Sequence, residues 1–206
     1  MAFTTYTTLK TSIANYLGRT DLTDQIPDFI TLAENRLRRD LRLRTMLKGV
    51  SASATSGDGT VALPSDFLEV RDIYVDTNPR GSLQYLTPSA FTANGRATES
   101  GQPNYYTILA SEFNFAPAPD SNYTFQLLYY AEPEFLSDTN ASNTFLANAP
   151  DALLYGSLVE AEPYLMNDNR IQVWASMLER SIDSLNRTAI QSQYSGVPLT
   201  MKLTEK

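Results

Sequence analysis

The sequence predicts an α+β protein. Its main part is an α-helical bundle formed by the N- and C-terminal segments, with a small antiparallel β domain inserted and an extended C-terminal arm. Three observations carry this reading. Apolar residues recur every three or four positions over 5–44 and again over 150–191. Between them, 48–135 consists of short β-branched and aromatic runs punctuated by Gly, Pro, Asn and Asp. The last residues alternate apolar and polar with a period of two. The expected divisions are 1–47 (N-terminal helices), 48–135 (inserted β domain), 136–195 (C-terminal helices) and 196–206 (arm). Two separate domains fit less well, because the N-terminal helix pair needs a partner surface to cover its stripes.

The first helix is expected over 5–17, with Tyr6, Leu9, Ile13, Tyr16 and Leu17 on one face, Thr residues as N-caps and Gly18 as a left-handed C-cap. The organising helix follows over 26–44. Ile26, Ile30, Ala33, Leu37 and Leu41 form its stripe and Pro27 occupies its first turn. Asp24 is the expected N-cap, Asp28 and Glu34 complement the positive end of the dipole, and the arginines complement the negative end.

Gly57 and Gly59 around Asp58 predict a hairpin between β-tolerant runs. A tight turn at Pro64-Ser65-Asp66-Phe67 precedes a strand through Val70, Ile73, Tyr74 and Val75, and a turn at 78–81 leads into a returning strand, SLQYL. A short helix starts at Thr87 and closes at Asn94-Gly95; 96–103 is a loop; strands follow at 105–109, 112–115 and 123–130. The last of these is apolar on both faces and is expected to be central. After a polar linker, a helix starting at Pro150 carries Leu154, Leu158, Ala161 and Leu165, with Pro163 set to kink or end it. The longest helix spans roughly 168–191 and ends before Gly196 and Pro198.

Composition removes several kinds of chemistry. The 206 residues include no Cys and no His, so there are no disulfides, thiolate zinc sites, cysteine nucleophiles or imidazole bases. Carboxylate or lysine catalysis stays possible. A net charge of −7 argues against general adhesion to DNA or an anionic membrane. No apolar run approaches the ~20 residues a bilayer requires, and MAFTTYTTLK has neither the basic start nor the apolar middle of a secretory signal.

The sharpest local feature is the series Arg36, Arg38, Arg39, Arg42 and Arg44. It admits three readings: a solvated face laced by i,i+4 pairs (Glu34–Arg38, Arg36–Asp40, Asp40–Arg44), a subunit or partner interface, or a nucleic-acid contact. Asp66, Glu69 and Asp72 form the best carboxylate group for acid–base or metal chemistry, but no second spaced group supports them. Asn167-Asp168-Asn169 lacks the Gly and terminal Glu of a calcium loop, and Gly57-Asp58-Gly59 lacks the Lys of a phosphate cradle. The tyrosines of the middle segment (Tyr74, Tyr85, Tyr105, Tyr106, Tyr123, Tyr129, Tyr130) suit half-buried strands or a broad protein-binding surface.

The order of motifs supplies more than any one of them. Leu17-Gly18-Arg19 leads into DLTDQIPDFI at 21–30, then Ala33-Glu34-Asn35-Arg36-Leu37 and Arg39-Asp40-Leu41-Arg42. LPSDFLE at 63–69, GQPNYY at 101–106, APAP at 116–119, Tyr129-Tyr130, PDALLY at 150–155 and Trp174 complete the series. Together they resemble the head-to-tail adaptor (connector) family of tailed bacteriophages, especially the short-tailed ones. The resemblance implies a structural virion protein without cofactor, made in the host cytoplasm. It would assemble as a homo-oligomeric ring, a dodecamer, between the portal protein and the tail nozzle or fibres. DNA would pass through its channel without sequence-specific binding, and no membrane would be involved. It also implies a portal-binding arm, here Tyr194, Val197, Pro198, Leu199, Met201, Lys202 and Leu203, and makes the five arginines candidates for the subunit interface. No catalytic or metal residues carry over. A carboxylate-based cell-wall glycosidase and a monomeric protein-binding module are the alternatives.

Overall fold

The computed structural model describes residues 3–93, 99–166 and 168–194. The chain is α+β and divides into two compact units, one formed by Met1–Met46 with Pro133–Lys206, the other by Leu47–Glu132.

In the first unit, α1 (Tyr6–Leu17) starts with a reciprocal cap: the Thr5 side chain accepts from the Thr8 amide, and the Thr8 hydroxyl accepts from the Thr5 amide. Gly18 ends it at φ 66°, where its amide reaches Asn15 and the next amide reaches Ala14. The second helix, α2 (Ile26–Asp40), buries Ile26, Phe29, Ile30, Ala33, Glu34 and Leu37. Two expectations need correction here. Gln25, not Asp24, precedes the first turn, and it makes no side-chain cap. The helix also stops at Asp40 rather than Arg44. Arg42 Nη1 donates to the Arg38 carbonyl at 2.9 Å, replacing the amide that one more helical residue would have supplied, while Leu41 is already extended. A single 3-10 turn, Arg44–Met46, follows.

Within the expected polar linker lies an unforeseen short helix, α4 (Thr144–Asn148), capped by the Asn143 side chain on the Leu146 amide. (The third helix, α3, Pro88–Ala93, belongs to the other unit.) Next, α5 (Pro150–Tyr164) is buried on nearly every side, and Pro163 falls in its last turn. It approaches α2 so closely that a Cβ on Gly156 would stand 3.1 Å from the Ala33 Cβ. The last helix, α6 (Asp168–Tyr194), buries Leu178 and Ala189, with Ile171, Ile182 and Leu185 half-buried.

The described residues of the β unit form ten strands: β1 (Leu47–Ala54), β2 (Thr60–Ala62), β3 (Phe67–Val75), β4 (Gly81–Ser82), β5 (Gln84–Tyr85), β6 (Ser100–Gly101), β7 (Tyr105–Leu109), β8 (Glu112–Ala116), β9 (Ala118–Pro119) and β10 (Tyr123–Ala131). They form one sheet ordered β1-β10-β3-β4, a second ordered β2-β8-β7-β5, and the ribbon β6-β9. The sheets pack face to face: Phe115 of one stacks on Phe125 of the other with centroids 4.1 Å apart, inside a core that includes Ile73, Val75, Tyr106, Phe113 and Leu127. As expected, β10 is central, with β1 and β3 antiparallel on either side.

The hairpin expected around Gly57 and Gly59 does not form. β1 and β2 join different sheets, because the connection carries the chain from one layer to the other. SLQYL likewise splits: β4 returns along β3, while β5 crosses to pair with β7 in parallel. Residues 94–98, which include the expected helix end at Asn94-Gly95, lie outside the described residues.

Candidate functional site

The structure sorts the five arginines. Arg36 leaves its own helix and pairs with Glu160 of α5 at 2.6 Å. Arg38 donates to the Pro133 carbonyl and lies over the Phe135 ring, 3.5 Å from its centroid. Arg42 closes α2, as described. These three are engaged within the helical unit. Arg39 and Arg44 are exposed and, among the described residues, take part in no ion pair. Arg36, Arg38 and Arg42 thus have partners inside the unit, and Arg39 and Arg44 are exposed.

Beside Arg38 lies Glu34, only 1% exposed. Its oxygens accept from the Leu136 amide at 3.1 and 3.3 Å and from Asn143 Nδ2 at 2.6 Å. Burial pushes its carboxyl above the usual range, opposed by those two donors and by Arg38. Glu34 and Arg38 thus hold the segment 133–143 on α2. From α1, the Tyr6 amide meets the Ala141 carbonyl at 2.7 Å and Lys10 pairs with Asp138 at 2.8 Å. Glu34 was read from the sequence only as a dipole-compensating charge. Its place within the Ile30–Leu37 stripe was the available signal of burial.

A second buried carboxylate, Glu162, accepts from the Trp174 indole N–H and pairs with Arg170 Nε, both at 3.1 Å. Trp174 stacks on Tyr155 and meets Tyr16 edge-on. The sequence patterns name Tyr16, Tyr155 and Trp174 separately but do not bring them together, and they leave Glu162 out.

In the β unit, Asp66 accepts from Lys48 Nζ at 2.5 Å and from the Tyr129 hydroxyl at 2.8 Å. The Lys48 contact holds its carboxyl below the usual range, and burial followed by the Asp66 hydrogen bond pushes Tyr129 up to about 12. A carboxylate so held is ionised at neutral pH and poorly suited to general-acid work. Asp58 accepts from the Thr60 amide and hydroxyl, a local turn. Tyr106, Tyr129 and Tyr130 belong to the core, whereas Tyr85 is half exposed. Val197, Pro198, Leu199, Met201, Lys202, Leu203 and Asn167, with the side chains of Asp168, Asn169 and Tyr194, lie outside the described residues.

Among the described residues the buried carboxylates Glu34 and Glu162 each hold neighbouring segments of the helical unit together. The sequence matches the family described as SU10 adaptor protein over residues 4–202, and the chain belongs to that family. It is thus a phage adaptor protein and a virion component. No curated protein matches the chain.

Proposed function

We propose that this adaptor forms a ring, a dodecamer, that joins the portal to the tail nozzle or fibres and extends the DNA channel. The observation that carries the reading is family membership over nearly the whole chain. Two features agree with it. Arg39 and Arg44 give the helical unit cations for a neighbouring subunit. The net charge of −7 suits a conduit through which DNA must slide without sticking.

The test is mass photometry and electron microscopy of the full chain with purified portal. A ring is expected, and Arg39→Glu with Arg44→Glu should weaken assembly while leaving circular dichroism unchanged. A chain that stays monomeric beside portal would overturn the proposal.

A further inference from the structure

The four edges of the two large sheets are unequal. β4 and β5 have two residues each and β2 has three, but β1 has eight. Short edges leave little backbone for another chain to pair with; a long one is a template for strand addition. Along β1, Lys48, Gly49, Val50, Ser51 and Ser53 are all exposed. Among the described residues β1 pairs only with β10.

Beneath this edge lies an apolar cleft of ≈ 210 Å³, lined by Val50 and Ala52 of β1 together with Val61, Leu63, Phe115 and Phe125. Ala52 stands opposite Phe125 in the β1–β10 register, and both line the cleft. The volume exceeds the ~150 Å³ apolar cavity that accommodates benzene, so Leu or Met side chains fit. A strand added to β1 would place alternate side chains over the cleft.

The chain carries one segment of matching pattern. In 197–203, Val197, Leu199, Met201 and Leu203 alternate with Pro198, Thr200 and Lys202. Seven residues extend about 23 Å and the eight of β1 about 26 Å. Pro198 stands near the start, where a strand tolerates a missing N–H. Charge agrees as well. The β unit has nine acidic and four basic residues, with Asp58 and Asp120 toward one end of β1, whereas 197–206 brings Lys202 and Lys206 against Glu205.

We propose that the segment 197–203 of one copy adds as a strand to β1 of a second copy, seating apolar side chains in the cleft. This rests on the ring reading only in taking a second copy as the donor. The portal, to which the resemblance directs the same segment, is the competing acceptor.

The experiment uses amide hydrogen exchange of an isotope-labelled chain lacking 195–206, mixed with unlabelled full-length chain. Within labelled residues 48–53, the alternate amides that do not bond β10 should exchange at least tenfold more slowly, in proportion to the full-length chain added, and a synthetic peptide of 195–206 should reproduce the effect. Ala52→Leu, which fills the cleft, should keep the dichroism and Tm yet weaken peptide binding at least tenfold. No protection of 48–53 from either donor overturns the inference, as does protection seen only within the full-length chain and independent of concentration. A peptide that binds portal but not the truncated chain also overturns it. Rings that form with portal while β1 stays unprotected remove this inference alone; protection of β1 without any ring removes the ring reading instead.

Discussion

Replacing Glu34 by Ala removes the acceptor for two donors at once. The Leu136 amide is buried, and a buried amide left unpaired costs about 1–3 kcal/mol. Asn143 is half-buried and can turn toward water, so its share is smaller, about 0.5–1 kcal/mol. Relief from burying a charge offsets part of this. A net loss of about 2–3 kcal/mol at pH 7.5 is expected, or roughly 4–12 °C in Tm for a chain of this size. The sole tryptophan, Trp174, lies in the helical unit, so its fluorescence during urea unfolding reports that unit. Glu34 also fixes the sign of a pH effect. A carboxyl raised by burial adds stability that is fully present below the ordinary range near 4.5 and is lost as pH rises through its raised value. The Ala variant should therefore lose more at pH 5 than at pH 7.5, and Glu34→Gln should flatten that dependence. A cost below 1 kcal/mol, or one that grows toward alkaline pH, would refute the reasoning.

Three further outcomes are expected. Gly156→Val should overpack the α2–α5 contact and cost about 1–3 kcal/mol, measured by the same fluorescence transition. Asp66→Asn should lower stability by about 1 kcal/mol near neutral pH, discounted for partial exposure; because its folded pKa is depressed, that contribution is present above 3.8 and disappears as pH falls through the folded value, so wild type and variant should converge in acid. Peptidoglycan turnover by the purified chain should be undetectable, and activity abolished by Asp66→Asn or Glu69→Gln would reverse that expectation.

Much of the helical unit was legible because its periodicities are strong and its punctuation is conventional, as at Gly18, Pro27 and Pro163. The misreadings have local causes. A guanidinium ended α2 where the stripe alone continued to Leu41, and five residues of α4 were too few to show a period. Strand positions in the β unit followed composition, but partners did not: Gly57 and Gly59 mark a turn without indicating that the strands beside it enter opposite layers. The arginine series was visible, whereas the division between internal clasps and available cations depended on Glu160, Pro133 and Phe135, which are remote in sequence. The long β1 edge was invisible for the same reason, since an edge is defined by the strands that do not lie beside it.

The helical unit is assembled from both ends of the chain, and this sets an order of events during synthesis. α1 and α2 emerge from the ribosome with their apolar stripes uncovered, while α5, which buries the α2 stripe, follows only after the entire β unit. At about 5–20 residues per second, that delay is on the order of ten seconds. The β unit, contiguous from Leu47 to Glu132, can close in the meantime. For those seconds the nascent N-terminal helices present the surface that chaperones bind, so a nascent chain held with Glu132 clear of the ribosome and α5 still inside it should carry a folded β unit and an exposed, protease-sensitive helix pair.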